Sequence, residues 1–244
     1  MAKLKERHLQ YLNDPIFYNE YLKRLNNNLV YSNNRLDLNT EEHDNANIST
    51  LDDNLEALQF LLNTLYEEQE PKLTEDIIIK IADTINKHSM YISNGYRTIG
   101  EGVKLQGKYP IESPKNIPEK MKELLEKYYN EWSKLDIFER EALFNIEFLR
   151  IHPFEDGNGR TSRLILNYNL LRQGHAPVLI QEKDREDYYN ARNKEDVKWI
   201  KDLFEKESQK ELQYLNEQIE KFENKTKKSR WFKEHTLHLY KNKI

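Results

Sequence analysis

Glycine and proline are scarce in this sequence, and their scarcity limits the fold more than any other feature does. Each occurs only 7 times in 244 residues, where average usage would give roughly 17 glycines and 12 prolines. A chain rich in β-strands needs many tight turns, and these two residues supply most of them. Because 33% of the residues are also charged, the composition predicts a mainly α-helical fold.

The charge balance and the absence of cysteine exclude several classes of function. A net charge of −4 provides no overall positive field for nucleic acid or an anionic membrane. Zero Cys excludes disulfides, Fe–S clusters, thiolate zinc sites and thiol nucleophiles. Residues 1–13 alternate charged and polar side chains with single leucines, so no signal peptide is expected. Apolar stretches such as Ile77–Ile79 are too short to cross a bilayer, and we expect a soluble, cytoplasmic protein.

Apolar residues at helical spacing predict where the helices lie. One face of Ile16–Leu29 carries apolar residues at i, i+4 spacing, namely Phe17, Tyr21, Leu25 and Leu29. The run from Ala142 to Ile151 is apolar almost all round, so it is expected to be the central buried helix. Capping residues and the same spacing predict further helices near Leu51–Tyr66, after Thr74, at Pro118–Trp132, from Asp136 to Pro153, at Gly159–Arg172 and at Glu195–Asn224.

The last of these helices carries a short apolar seam with 3-4-3 spacing, formed by Leu212, Leu215, Ile219 and Phe222. The seam has too few heptads to favour a free coiled coil, and packing on the body of the protein is the preferred interpretation. The basic run Lys225–Arg230 is interpreted as a solvated segment rather than a nucleic-acid site.

Glycine and proline cluster in Gly95–Pro114, which predicts a short strand pair rather than a helix. Within this segment Gly102-x-x-x-x-Gly107-Lys108-Tyr109 nearly satisfies the Walker A pattern. Tyr109 cannot replace the small hydroxyl that ligates Mg²⁺ in that motif, and Pro110 would block the helix that must follow. A hairpin is therefore favoured over a P-loop.

A second glycine cluster lies in the connection between two predicted helices, His152-Pro-Phe-Glu-Asp-Gly-Asn-Gly-Arg-Thr-Ser-Arg163. Gly157 and Gly159 would allow backbone N–H groups to converge just before a helix N-terminus, which is an anion-binding arrangement. Arg160 and Arg163 follow on the first helical turn, where the helix dipole disfavours each cation by about 0.3–1 kcal/mol. Their presence indicates a counter-charge, and bidentate guanidinium groups suit a polyphosphate.

Two further residues of this connection point to catalysis. The carboxylate of Asp156 suits a hard cation such as Mg²⁺ that bridges phosphates. His152 can act as a base near neutral pH, and Phe154 is expected to be buried and to anchor the loop. Together these residues predict a phosphoryl- or nucleotidyl-transfer site, although each of them alone has an ordinary structural explanation.

Residues His152–Arg163 resemble, at every defined position, the Fic/Doc motif His-x-Phe-x-Asp/Glu-Gly-Asn-Gly-Arg-x-x-Arg, and the resemblance extends over about residues 75–205. It implies a Fic-type helical bundle with a small β-hairpin flap. It further implies a protein adenylyltransferase that moves AMP from ATP to a Ser, Thr or Tyr hydroxyl of a target protein, with Mg²⁺ and release of pyrophosphate. Self-modification and a homo-oligomeric state are left open.

The resemblance also implies a role for each site residue. His152 would be the general base that deprotonates the target hydroxyl, and Asp156 would hold the metal. Phosphate binding is implied for Gly157, Asn158, Gly159, Arg160 and Arg163. Nucleobase and ribose contacts are implied for Tyr188, Tyr189 and Asn193. The edge of the flap, which would hold the target segment by strand-like pairing, is implied for Val103, Lys104 and Leu105.

The chain divides into three parts on this interpretation: an N-terminal helical region packing on the core at residues 1–74, a Fic domain at 75–205, and a charged helix and tail at 206–244. Residues 32–40 resemble a degenerate form of the inhibitory helix of many Fic proteins, Ser/Thr-x-x-x-Glu-Gly/Asn. Asn33 stands for Ser/Thr and Asp37 for Glu. Because Asp is one methylene shorter than Glu, an inhibitory salt bridge to Arg163 would be stretched, which predicts weak or absent autoinhibition.

Three alternatives to AMP transfer remain at this point. The same scaffold could transfer a phosphate or another nucleotide, or remove AMP. It could also be a catalytically silent binding module, which the intact motif disfavours. A transcription factor is a third alternative, but nothing after Lys201 indicates a winged helix and the net charge opposes DNA binding.

Overall fold

The computed structural model describes residues 3–37, 47–67, 72–88, 95–98 and 111–241. Within these ranges there is no β-strand, and the prediction of a mainly α fold is confirmed. The expected hairpin edge at 103–105 lies outside the described residues. The helices are α1 Glu6–Leu12, α2 Pro15–Asp37, α3 Asn47–Glu67, α4 Glu75–Ile85, α5 Ile117–Tyr129, α6 Ile137–Ile151, α7 Asn158–Arg172, α8 Arg185–Asn193 and α9 Val197–Lys241.

Helix α6 is the centre of the bundle, as its all-round apolar sequence predicts. It packs against α5, α7 and α9. Phe144 and Phe148 enter one apolar cluster, while Phe138 and Ile146 enter another on the opposite side. Burying an aromatic side chain of this size stabilises the fold by roughly 1.5–3 kcal/mol. The helix therefore has little freedom to move, and its C-terminal end is a rigid support for the loop that follows.

The predicted apolar face of α2 is confirmed. Its four residues Phe17, Tyr21, Leu25 and Leu29 are each less than a tenth exposed, and the helix packs on α3 and α7. Helix α4 begins as predicted at the N-cap Thr74, whose hydroxyl accepts a hydrogen bond from the Ile77 backbone N–H at 3.3 Å. Helix α4 in turn packs against α7, so that its C-terminal end lies beside the start of α7.

Helix α9 packs on the body of the protein along its apolar seam, which decides against a free coiled coil for that stretch. Leu215 and Ile219 are 1% and 0% exposed. Arg24 of α2 forms a bidentate ion pair with Glu211 of α9, at 2.5 and 3.0 Å. Because α9 is continuous, the predicted division between residues 205 and 206 falls inside this helix.

Among the described helices, none combines the length and apolar character needed to cross a bilayer.

Candidate active site

The loop from His152 to Gly157 joins the two central helices, and it begins with an unusual backbone conformation. Helix α6 ends at Ile151, and His152 adopts a left-handed conformation with φ 52° and ψ 61°. The following Pro153 disfavours continued helix at His152, as predicted. A residue with a Cβ loses roughly 1–2 kcal/mol in the left-handed region, so surrounding contacts must hold this turn.

The environment of His152 keeps its imidazole neutral at physiological pH. Burial lowers the pKa of this half-buried ring to about 4, and the nearby charges of Arg97 and Arg192 act in the same direction. A hydrogen bond from the ring to the Leu149 carbonyl opposes the shift without reversing it. That bond fixes the tautomer, so the second ring nitrogen presents its lone pair as a proton acceptor.

Phe154 and Asn158 brace the loop against the core. Phe154 is fully buried, as predicted, and its ring lies 6.3 Å from that of Phe148. The Asn158 side chain donates to the Phe154 carbonyl at 2.7 Å and accepts from the Phe154 N–H at 3.0 Å. Since its amide is engaged in the loop, the group that Asn158 offers to an anion is its backbone N–H.

The start of α7 presents backbone N–H groups towards the loop. The first intrahelical hydrogen bond there runs from the Thr161 N–H to the Gly157 carbonyl at 2.8 Å. The N–H groups of Asn158, Gly159 and Arg160 precede that bond and have no partner within the helix. Together with the helix dipole they make this N-terminus suited to an anion.

Gly157 is required at its position for two reasons. Its φ of 75° is unfavourable for other residues, and a Cβ would lie 2.9 Å from Asn86 Oδ1. Asn86, the residue that ends α4, is 1% exposed. It donates to the Asp156 carbonyl at 3.0 Å and accepts from Arg160 Nη2 at 3.1 Å.

Contacts with two neighbouring side chains fix the position of the Arg160 guanidinium. Besides Asn86, it contacts Asp156 through an ion pair of 3.1 Å. The side chain of Arg160 is 11% exposed, whereas that of Asp156 is 48% exposed. The two arginines at the helix N-terminus predicted a nearby negative charge, and Asp156 supplies part of it. Arg163, one turn further along α7, is 3% exposed.

The carboxylate of Asp156 is isolated from other metal-ligating side chains. No group of three or more His, Asp or Glu side chains in the described part of the chain could hold a metal ion. Mg²⁺ is commonly bound by one or two carboxylates together with substrate phosphates and water. A single, half-exposed carboxylate beside an anion site fits an ion that arrives with its phosphates.

Helix α8 carries the predicted nucleotide contacts, and the structure separates them. Tyr188 is fully buried and donates to Asn145 Oδ1 at 2.8 Å, so its ring lies in the core behind the site. Tyr189 is half-buried, with the Arg192 guanidinium 4.7 Å from its ring centre. The Oδ1 of Asn193 is buried and has no hydrogen-bond partner among the residues that the structure describes.

Two site residues were missed by sequence reasoning: Asn86 and Arg97. Both act on the backbone of the loop from distant positions in the sequence, and no motif or periodicity marks them. Of the remaining predicted residues, Val103, Lys104 and Leu105 lie outside the described residues. Asp37 is the last residue of α2, and its side chain is outside the described part.

In the residues that the structure describes, the domain is helical. The loop between its two central helices and the first turn of α7 combine a neutral histidine, a carboxylate, unpaired helix N–H groups and two arginines. Residues 72–170 match the family model described as Fic/DOC family. This stretch of the chain includes the motif at His152–Arg163, and its match to the Fic/DOC family confirms the resemblance that the motif indicated.

Curated relatives share a region around this domain. Protein adenylyltransferase Fic of Nematostella vectensis is 35% identical over 145 residues, which are 57% of this chain and 32% of that protein. Protein adenylyltransferase fic-1 of Caenorhabditis elegans is 32% identical over 136 residues, 54% of this chain and 26% of that protein. The chain thus spans about a third or less of the length of these relatives.

Solved structures show the same fold. A Fic domain containing signaling protein from Bacteroides thetaiotaomicron superposes with a TM-score of 0.70 at 21% identity, over 89% of this chain and 92% of that chain. Fic-1 from Caenorhabditis elegans gives a TM-score of 0.58 at 20% identity, over 80% and 64%.

Proposed function

We propose that this protein is a protein adenylyltransferase that transfers AMP from ATP to a Ser, Thr or Tyr hydroxyl of a target protein and releases pyrophosphate. One observation carries the proposal. A single short loop places the neutral imidazole of His152 at one end and the N-terminus of α7 with Arg160 at the other. A proton acceptor is thereby joined to a site for phosphates, and the names of the curated relatives support the same reaction.

The residues of this chain would divide the work of an in-line displacement. The α7 N-terminus, Arg160 and Arg163 hold the β- and γ-phosphates, so the α-phosphorus faces His152. The target hydroxyl oxygen bonds to that phosphorus, the bond to the β-phosphate oxygen breaks, and His152 receives the hydroxyl proton. The charge of bound phosphates would raise the pKa of His152 from about 4, towards the range where a base is most effective.

Mg²⁺ would enter with ATP, and the residues present fit it. Asp156 would hold the ion, which supplies charge neutralisation at the phosphates when bound. Before that, Asp156 pairs with Arg160. When Mg²⁺ and phosphate bind together, Asp156 would exchange its contact with Arg160 for one with the ion. Arg160 would exchange the same contact for one with the phosphate.

The nucleoside end of ATP would lie towards α8. Tyr189 is half-buried and offers an aromatic surface for the base, whereas the fully buried Tyr188 would support α8 from behind. Asn193 would contact the ribose. The target segment would pair with the edge at Val103, Lys104 and Leu105, and the protein itself is a further candidate target. We place the reaction in the cytoplasm, where ATP and Mg²⁺ are abundant.

Transfer of the terminal phosphate is the second candidate, because the same loop could hold ATP in another orientation. Incubation with α-labelled or γ-labelled ATP and Mg²⁺ distinguishes the two. We expect label from the α position on protein, lost in His152→Ala and kept in His8→Ala, a variant that removes an imidazole bonded to Asn216 of α9. Label only from the γ position would establish a kinase, and ATP binding without transfer would establish a silent module.

A further inference from the structure

Arg97 lies against the turn that carries His152. It is 2% exposed, and its backbone and side chain both contribute contacts. The Arg97 N–H donates to the Pro153 carbonyl at 2.8 Å. Its Nε donates to the His152 carbonyl at 2.7 Å, and its Nη2 donates to the Ile151 carbonyl at 3.4 Å. One residue therefore meets three consecutive carbonyls at the end of α6.

The same guanidinium reaches a second segment. Nη2 also donates to the Glu112 carbonyl. Residues 97 and 112 stand on either side of the predicted target-docking residues in the sequence. The guanidinium is planar and its donors have a fixed geometry. It therefore sets the distance between the backbone at Glu112 and the turn at His152.

The contacts of Arg97 satisfy a physical requirement of the turn. The last carbonyls of a helix lack intrahelical partners, and the left-handed conformation of His152 persists only if its surroundings impose it. Hydrogen bonds from an ionised donor are roughly twice as strong as neutral ones. Arg97 provides them to the carbonyl of His152 and to that of the residue before it.

We propose that Arg97 is a positioning residue for catalysis: it fixes the left-handed turn at His152, so that the imidazole faces the α-phosphorus, without itself touching ATP. This inference rests on the proposed function. It predicts that loss of Arg97 reduces the rate of AMP transfer while ATP binding is unchanged, because the phosphate-binding contacts of α7 come from other residues.

The test compares Arg97→Met and Arg97→Lys with Arg140→Met, using the chain as its own acceptor and α-labelled ATP with Mg²⁺. Arg140 is the matched control, a buried guanidinium that donates to Gln173 at 2.6 Å and stacks on Tyr128, away from the loop. Misplacement of a reacting group by about 1 Å can cost roughly 100-fold in rate. We expect a loss of kcat of about that size in Arg97→Met, with the KM for ATP within about 2-fold of wild type.

Arg97→Lys keeps the charge but cannot reach both segments with one ammonium group, so we expect an intermediate loss. Arg140→Met should lose thermal stability and keep its kcat at a temperature where circular dichroism shows all variants folded. An unchanged kcat in Arg97→Met, or a rise in KM that accounts for the whole loss, overturns the proposal. If Arg97→Met does not fold, the kcat of Arg97→Lys decides.

A readout independent of transfer separates this inference from the proposed function. Hydrogen exchange of the peptide covering residues 148–154 should accelerate in Arg97→Met and stay at the wild-type rate in Arg140→Met. If the wild type does not label itself, self-modification is refuted, while the exchange rates still test the turn. Unaltered exchange at 148–154 would show that Arg97 does not hold His152.

Discussion

At the scale of single residues, the site depends on backbone groups held in fixed positions. Asn86 touches both the carbonyl of Asp156 and the guanidinium of Arg160, and it leaves no space for a side chain at Gly157. Arg97 holds the carbonyl of His152. Two residues distant in the sequence thus shape opposite ends of one loop.

Gly157→Ala is expected to weaken ATP binding. Its φ of 75° strains an alanine, and the new Cβ would lie 2.9 Å from Asn86 Oδ1, so Asn86 or the start of α7 must shift. Gly174→Ala is the matched control, because its φ of 72° causes similar strain while nothing lies within 4 Å of its Cβ. Each change should cost about 1 kcal/mol of stability.

The affinity measurement distinguishes the two glycine variants. Calorimetric titration with Mg–ATP should show a clear loss for Gly157→Ala and an unchanged Kd for Gly174→Ala. Equal affinities in both variants would mean that the packing of Asn86 over Gly157 is unimportant for the nucleotide.

The acid limb of the pH profile should lie well below the usual range for histidine. Burial lowers the pKa of His152 to about 4 from 6.5, so the base is protonated only as the pH falls towards 4. Because kcat/KM reports the free enzyme, we expect it to be nearly flat from about pH 8 to pH 6 and to decline at lower pH. A midpoint near 6.5, the pKa of an ordinary imidazole, would contradict this.

At the scale of helices, the predictable features were those that follow from the distribution of apolar residues. Apolar spacing predicts the buried face of α2 and the seam of α9, and an almost all-round apolar run predicts the central position of α6. The structure confirms all three. The motif at His152–Arg163 could also be recognised in the sequence, because it requires specific residue types at defined positions. Contacts to backbone carbonyls, such as those of Arg97, leave no pattern in a sequence, since any distant donor can make them.

Helices α5, α6 and α7 meet at a buried carboxylate, Glu141. Tyr128 donates to one of its oxygens at 2.6 Å, and Asn169 donates to the other at 3.0 Å. Burial raises the pKa of Glu141 from 4.5 to about 7. The unfolded chain therefore loses this proton at lower pH than the folded protein does. Because of this difference, the free energy of unfolding decreases as the pH rises from about 4.5 to 7.

Glu141→Gln should remove this pH dependence. A pKa shift of this size changes the free energy of unfolding by about 3 kcal/mol between low and high pH. Glutamine can still accept from Tyr128, and rotation of the Asn169 amide would offer the new N–H₂ group an oxygen that has no partner among the described residues. Urea unfolding at pH 5 and pH 8 measures the effect. Glu139→Gln, a half-exposed carboxylate on the same helix, should keep the wild-type slope, and an unchanged slope in Glu141→Gln would refute the assignment.

At the scale of the whole molecule, the N-terminal helices and α9 enclose the site-bearing pair α6 and α7. Helix α2 packs on α7 and is tied to α9 by the ion pair between Arg24 and Glu211. Helices of the N-terminal region therefore lie against α7 in the described part of the chain. Helix α3 of the same region also packs on α7, so both helices connect the N-terminal region to the helix that carries the arginines.

Asp37, the last residue of α2, tests whether that region regulates transfer. The resemblance to an inhibitory helix gives this position an acid that is one methylene too short for a strong bond to Arg163. We therefore expect Asp37→Ala to raise the initial rate of AMP transfer by less than about 3-fold, since a stretched ion pair contributes little, about 0–1 kcal/mol. Asp37→Glu should lower the rate, because the longer side chain restores the missing reach.

Asp37→Ala and Asp37→Glu are expected to change the rate in opposite directions. Asp37→Asn serves as the control, since it has the length of the native residue without its charge and should behave like Asp37→Ala. Strong activation of both neutral variants would mean that the native Asp37 already inhibits and that the shorter side chain is no obstacle. A rate unaltered by Asp37→Glu would instead mean that the end of α2 does not reach Arg163, and that this chain transfers AMP without control from its N-terminal region.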